Sequence, residues 1–218
     1  MNKESVRSRI EKVGIIPAIR FVSKQDAHFA VEAVHHSGIP LVEITMTIPG
    51  AMDLIAELAR DPELVVGAGS ILDVETARAC LDHGASFLTS PGLDLAVVDF
   101  AVKRDVVVFP GALTPTEVMN AANAGADFVK IFPCSALGGP SYIRTLKSPF
   151  PAIPLIAAGG VTQQNAGDFI HAGAVAVGIG RELVPPEAVA RRQCDWIEEL
   201  ARRFTEIVRS ARRKSHDA

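Results

Sequence analysis

Short apolar runs alternate with amphipathic stretches from end to end of the chain. The runs at 13–19, 41–45, 64–68, 86–89, 106–109, 128–132, 155–158 and 175–178 predict eight strands. They are rich in Val and Ile rather than alternating cleanly, as parallel strands covered on both faces require. Between them lie helical patterns such as QDAHFAVEAVHHSG and TPTEVMNAANAGAD. Eight strands, each followed by a helix, predict one closed (β/α)₈ barrel of the α/β class over residues 1–218. A short N-terminal helix and a C-terminal amphipathic helix complete it. Gly38, Gly84, Gly125 and Gly173 each end a helical stretch before a strand, at intervals of 46, 41 and 48 residues. Each is expected to take the left-handed conformation of a helix end. The stretch PEAVARRQCDWIEELARRFTEIVRSARRK reads as one final helix, with Trp196, Ile197, Leu200, Phe204, Ile207 and Val208 on its docking face. The tail KSHDA is expected to fray.

Composition narrows the function. At 218 residues the chain has the size of one barrel, and 48% hydrophobic with 22% charged residues suits a soluble globular protein. Its net charge of -3 lacks the basic surplus of a nucleic-acid binder, though one cationic pocket suffices for a small anion. Cys80, Cys134 and Cys194 are isolated and odd in number, which argues against a disulfide framework and fits a reducing cytoplasm. No apolar leader or membrane-length run is visible. His28, His35, His36, His83, His171 and His216 show no ligand spacing, so no metal site is expected.

Two ionisable residues stand inside apolar strands. In Asp127-Phe128-Val129-Lys130-Ile131-Phe132-Pro133 a lysine lies mid-strand, and alternation puts Phe128, Lys130 and Phe132 on one face. Burial strips the ammonium of hydration and favours the neutral amine, which can attack a ketone and form an imine. The alternative is a lysine held only by a salt bridge. In Leu41-Val42-Glu43-Ile44-Thr45 a carboxylate occupies the same kind of position. Glu43 on strand two and Lys130 on strand six face each other across a barrel, and even strands share interior layers. The two groups are therefore expected within direct or one-water reach, about 3 to 6 Å. Glu43 then suits proton transfer to and from the imine. The alternative, an ion pair that only fills the barrel, is a poor stabiliser compared with apolar packing.

Glycine-rich strand ends add an anion site. Gly159 and Gly160 follow strand seven, and Gly178-Ile179-Gly180-Arg181 follows strand eight. Barrel enzymes often bind phosphate there through bared backbone N–H groups, and Arg181 adds charge. Arg20 after strand one is the candidate grip for a carboxylate, with a surface arginine as its alternative. Thr47, Ser70, Ser90-Pro91-Gly92 and Pro110-Gly111 follow strands two to five at the same mouth.

At these residues the sequence resembles the 2-dehydro-3-deoxy-phosphogluconate aldolase family, also described as 4-hydroxy-2-oxoglutarate aldolases. The matching motifs run in order through nearly the whole chain: IPAIR, VEIT, GAGS, TSPGL, FPGALTPTE, DFVKIFP, AAGGV and ELVP. The resemblance implies a class I pyruvate aldolase and a homotrimer. It gives the Schiff base to Lys130 and proton transfer to Glu43, and it sets Ser70, Pro91 and Phe132 around the pyruvyl group. Three positions differ from the best-known members: Thr47 replaces a substrate-binding arginine, Ala158 a threonine that helps set stereochemistry, and Arg181 a serine of the phosphate loop. Natural substrate and stereochemistry stay open.

The expected reaction is cleavage of 2-dehydro-3-deoxy-6-phosphogluconate to pyruvate and glyceraldehyde 3-phosphate, with no cofactor beyond the covalent imine on Lys130. The partner is a small, phosphorylated 2-oxo acid, with neither nucleic acid nor membrane. The alternative substrate is 4-hydroxy-2-oxoglutarate, giving glyoxylate. An isomerase or epimerase using Glu43 without an imine, and a sugar-phosphate-binding regulator without turnover, are the rivals on the same fold.

Overall fold

A computed structural model of the chain describes residues 1–216, with side chains as far as Arg213. The helix α1 (Lys3–Val13) leads into β1 (Ile15–Ile19), α2 (Lys24–His36), β2 (Leu41–Thr45), α3 (Ala51–Leu58), β3 (Val65–Gly69), α4 (Val74–Asp82), β4 (Phe87–Thr89) and α5 (Leu95–Lys103). Then come β5 (Val107–Phe109), β6 (Gly111–Ala112), α6 (Pro115–Asn123), β7 (Val129–Ile131), a 3₁₀ turn at Cys134–Leu137, and α7 (Pro140–Lys147). The chain ends with β8 (Leu155–Ala158), α8 (Ala166–His171), β9 (Ala174–Ile179), α9 (Pro186–Ala190) and α10 (Cys194–His216).

The sheet order is β5-β4-β3-β2-β1-β9-β8-β7-β6, and every pairing is parallel. Eight strands are expected and nine segments are found among the described residues. The extra one arises because Pro110, which has no N–H, interrupts the fifth strand. Its first half pairs with β4 and its second with β7, so the continuous chain closes the ring. The TIM-like barrel expected from the pattern is therefore present.

Local chemistry explains the elements. Ser23 caps α2 through the Asp26 N–H, and Thr114 and Glu117 form a capping box behind Pro115 on α6. Backbone N–H groups of Leu113 and Thr114 donate to the Glu117 carboxylate and hold its pKa below the usual value. Gly38, Gly84, Gly125 and Gly173 all have positive φ, as their repeat predicts.

The C-terminal stretch departs from the expected single helix. It breaks between α9 and α10 at Arg192, whose φ is 52°. Arg192 leaves the helical path to pair with Asp26 at 2.9 Å and to cover the Phe29 ring at 5.0 Å, both on α2. Ile197, Leu200, Phe204 and Val208 dock as expected, but Trp196 is 42% exposed and Ile207 only half-buried. The helix continues to His216, beyond the expected onset of fraying, and residues 217–218 lie outside the described residues.

The barrel floor is sealed by aromatic rings and by α1. Phe87 stacks on Phe109 at 5.2 Å, and Phe109 meets Phe128 edge-on at 6.1 Å. A side chain at Gly67 would overlap the Phe87 ring, so β3 has glycine there. Below the rings Asp127 is buried, accepting from the Val108 N–H at 3.0 Å and meeting Lys3 at 3.0 Å. Asp127→Ala leaves both donors without their partner and should cost about 3 kcal/mol. Asp127→Asn, which retains an acceptor, should cost less. Urea unfolding midpoints check both, and an unchanged midpoint for Asp127→Ala would contradict this role.

Candidate active site

The register places the ionisable pair. Glu43 is level with Gly67 and Phe87 across β2, β3 and β4, and Thr89 is two residues further along β4. Thr89 is level with Phe109, two residues before Gly111, the partner of Lys130. Lys130 is level with Ile156 and Ala176, and Gly178 is two residues further along β9. Gly178 pairs with Ile16, two residues before Ala18, the partner of Glu43. This steady climb is the slant of one interior layer in a barrel whose strands tilt. The layer thus holds Glu43, Thr89, Lys130 and Gly178, from the second, fourth, sixth and eighth barrel strands. Three side chains fill it, and the glycine leaves the fourth quadrant open.

Lys130 Nζ lies 3.7 Å from Glu43 Oε2, within the expected reach. Their side chains are 12% and 5% exposed, so little water screens them. Nζ also donates to Thr89 Oγ1 at 3.3 Å and sits 5.6 Å from the centre of the Phe132 ring. Gly69 makes room for the carboxylate: a Cβ there would lie 2.0 Å from Glu43 Oε1.

Above the pair opens a cavity of about 320 Å³. Arg20, Glu43, Lys130, Phe132, Gly159, Gly160, Gly180 and Arg181 all line it. Its charged lining is three cations, Arg20, Lys130 and Arg181, against Glu43 and Glu182. The Gly159–Gly160 turn has positive φ at both residues and is tied in place. Ser135 Oγ and Asn165 Nδ2 both donate to the Gly160 carbonyl, at 2.8 and 3.0 Å. Among the described residues, no protein acceptor takes the backbone N–H of Gly160, Val161, Arg181 or Glu182. An anion can accept such donors.

Thr47, Ser70 and Pro91 do not line this cavity. Thr47 is exposed after β2, its hydroxyl 2.9 Å from that of Thr45. Ser70 follows β3 in left-handed conformation and is half-buried. Pro91 is exposed after β4, with its carbonyl packed over Gly111. Sequence reasoning missed Thr89, Thr162 and Glu182. Thr162 follows AAGGV and Glu182 opens ELVP; Thr89 opens TSPGL, but as an ordinary strand threonine it carries no chemical signal of its own.

A larger groove of about 900 Å³ lies at the other end of the barrel, between α1, α2 and α10. It is basic, but Arg212 spends its donors there on the carbonyls of Glu11, Lys12 and Val175. Its Lys12 pairs with no carboxylate among the described residues, so the smaller cavity is the active-site candidate. The three cysteines are free, and desolvation pushes Cys80 up to about 12 and Cys134 and Cys194 to about 11. None is an activated thiolate at neutral pH. Among the described residues no three His, Cys, Asp or Glu side chains converge as a metal site requires, and no helix is long and apolar enough to cross a membrane.

These features define a class: a barrel with a lysine and a carboxylate inside its mouth beneath a cationic rim. The chain belongs to the KDPG and KHG aldolase family, whose model matches residues 6–200. It is 30% identical to a 2-dehydro-3-deoxy-phosphogluconate aldolase of Pseudomonas aeruginosa, covering 97% of this chain and 99% of that one. It is 32% identical to a 2-dehydro-3-deoxy-6-phosphogalactonate aldolase of Escherichia coli, covering 90% and 97%. Among solved structures it is similar to a KDPG aldolase of Legionella pneumophila in which pyruvate was captured as a covalent carbinolamine. The TM-score is 0.84 and the identity 26%, over 90% of this chain and 96% of that one. The chain is thus a carbon–carbon lyase of the class I pyruvate aldolase type.

Gly69→Ala tests the geometry. The added methyl displaces the far end of a flexible side chain rather than backbone. The fold should persist while Glu43 is pushed from Lys130. Aldol cleavage should fall on the order of 100-fold, because small misplacements of catalytic groups cost that much. Activity and melting temperature, measured together, check this; full activity with an unchanged melt would refute it.

Proposed function

We propose that the chain cleaves 2-dehydro-3-deoxy-6-phosphogluconate to pyruvate and glyceraldehyde 3-phosphate through an imine on Lys130. The observation that carries this reading is the Lys130–Glu43 pair, 3.7 Å apart in one barrel layer, beneath a cavity with a cationic rim. The Lys130 ammonium first gives a proton to Glu43; the neutral amine then attacks the keto carbon, and Glu43 delivers two protons to the departing oxygen, that one and one taken from the nitrogen, giving an iminium and water. The iminium draws electrons from the C3–C4 bond as Glu43 takes the proton of the C4 hydroxyl. The aldehyde leaves, the enamine is protonated at C3, and hydrolysis frees pyruvate. No metal or organic cofactor takes part, since the iminium is itself the electron sink.

Arg20 binds the substrate carboxylate and Phe132 packs on the pyruvyl group. The N–H groups around Gly160 and Gly180, with Arg181, hold the phosphate. Their lack of protein acceptors among the described residues supports this assignment, as does the exposed Arg181 side chain at the rim, which has no ion-pair partner among those residues. Ser70, Pro91 and Thr47 edge the mouth outside the cavity. The enzyme works as a homotrimer in the cytoplasm; the exposed Leu72, in the loop after β3, and Leu95, at the start of α5, support burial between copies.

The test compares kcat/KM for the phosphorylated substrate and for 4-hydroxy-2-oxoglutarate, in wild type and Arg181→Ser. The phosphorylated substrate should be preferred, and Arg181→Ser should weaken that preference about tenfold, the worth of one charge-assisted hydrogen bond. Equal values in the wild type would refute the phosphate assignment and favour the unphosphorylated substrate.

A further inference from the structure

Thr89 stands in the catalytic layer without lining the cavity. It ends β4, is 1% exposed, and presents its side chain to the barrel interior between Glu43 and Lys130 in the layer order. A buried strand position of this kind is ordinarily filled by Val or Ile. A hydroxyl there must be satisfied or it costs stability. Thr89 satisfies it in a way that fixes its polarity. Its one proton goes to the Phe109 carbonyl, 3.0 Å away, on the neighbouring strand. The oxygen is left with lone pairs only, and Lys130 Nζ donates to it at 3.3 Å.

We infer that Thr89 is a positioning residue for Lys130: its oxygen is a fixed acceptor that orients the amine for attack and then holds the single N–H of the iminium. This rests on the Lys130 imine reading. A neutral amine has two N–H bonds and one lone pair. With one N–H on Thr89 Oγ1 and the other toward Glu43 Oε2, the lone pair takes the remaining direction. Lys130 and Glu43 line the cavity and Thr89 does not, so Thr89 acts from beneath. Glu43 first takes the third proton of the ammonium; attack then forms the Nζ–C2 bond and breaks the carbonyl π bond, and Glu43 gives that proton to the oxygen. Glu43 next takes one of the two protons on the nitrogen and passes it to the hydroxyl, which leaves as water. The iminium nitrogen retains one proton, and Thr89 accepts it. Glu43 is thereby released from Nζ for the proton transfers at C3 and at the C4 hydroxyl. Two acceptors at one nitrogen thus divide the labour: Thr89 holds, Glu43 exchanges.

The partial reaction that reads this role needs no aldehyde. Pyruvate bound as an imine becomes an enamine, and its methyl protons exchange with solvent. The full-length protein is incubated with pyruvate in D₂O, and loss of the methyl signal is followed by proton NMR. Wild type, Thr89→Val, Thr89→Ser and Thr89→Cys are compared, with a thermal melt of each. Exchange at saturating pyruvate should slow about tenfold or more in Thr89→Val, since the amine loses its orienting acceptor. The pyruvate concentration giving half-maximal rate should stay within about threefold, because Thr89 does not touch the carboxylate grip. Thr89→Ser, which keeps the hydroxyl, should restore most of the rate. Should the unpaired Phe109 carbonyl unfold Thr89→Val, Thr89→Cys replaces it: its thiol can still donate to that carbonyl, its sulfur is a poor acceptor, and Thr89→Ser is its near-isosteric control. Exchange at the wild-type rate in Thr89→Val or Thr89→Cys overturns the proposal and leaves the imine intact. Equal slowing in Thr89→Ser also overturns it, by tracing the loss to packing. Absence of exchange in the wild type overturns the imine reading itself.

Discussion

A lysine inside a barrel must find acceptors that water would otherwise supply, and the upper half of this structure is arranged around that need. Glu43 and Thr89 meet the amine from two neighbouring positions of its own layer, at 3.7 and 3.3 Å. Each has its own support. Gly69 gives up a side chain so that the carboxylate fits, and Phe109 takes the hydroxyl proton of Thr89. The fourth position, Gly178, contributes no side chain, and the cavity opens there. Replacing the lysine and carboxylate by apolar residues would stabilise a barrel of this kind as well or better. Their presence is therefore read as chemistry.

The lower half supplies rigidity. Three phenylalanine rings close the floor, and Lys3 and Asp127 pin α1 beneath them. Fixed strands below allow a fixed nitrogen above. The loops that line the cavity are held in the same spirit: two donors on the Gly160 carbonyl fix a turn where the N–H groups of Gly160 and Val161 have no acceptor among the described residues. In the proposed mechanism the rigid parts orient and only protons and substrate move.

The sequence exposes Lys130 and Glu43 because a charge in a Val/Ile run is costly, and an uncommon residue is easily noticed. It exposes the barrel because strand and helix periods alternate eight times. Thr89 escapes notice because threonine is an ordinary strand former, and only three dimensions reveal which atom takes its proton. The split of the fifth strand is hidden because Gly111–Ala112 is too short to show a period. The break at Arg192 is hidden because apolar spacing continues across it, while the cause lies on α2 in Asp26 and Phe29. Strand ends and resemblance point to Thr47, Ser70 and Pro91, and neither fixes whether a rim residue turns into the cavity.

The proposed mechanism turns on Lys130 carrying the substrate as an imine. The most direct measurement is borohydride reduction in the presence of pyruvate, followed by peptide mass analysis. A lactyl-sized adduct is expected on the peptide containing Lys130, absent without pyruvate and absent in Lys130→Ala. An unmodified Lys130 under conditions of active turnover, or an adduct on another lysine, would contradict it.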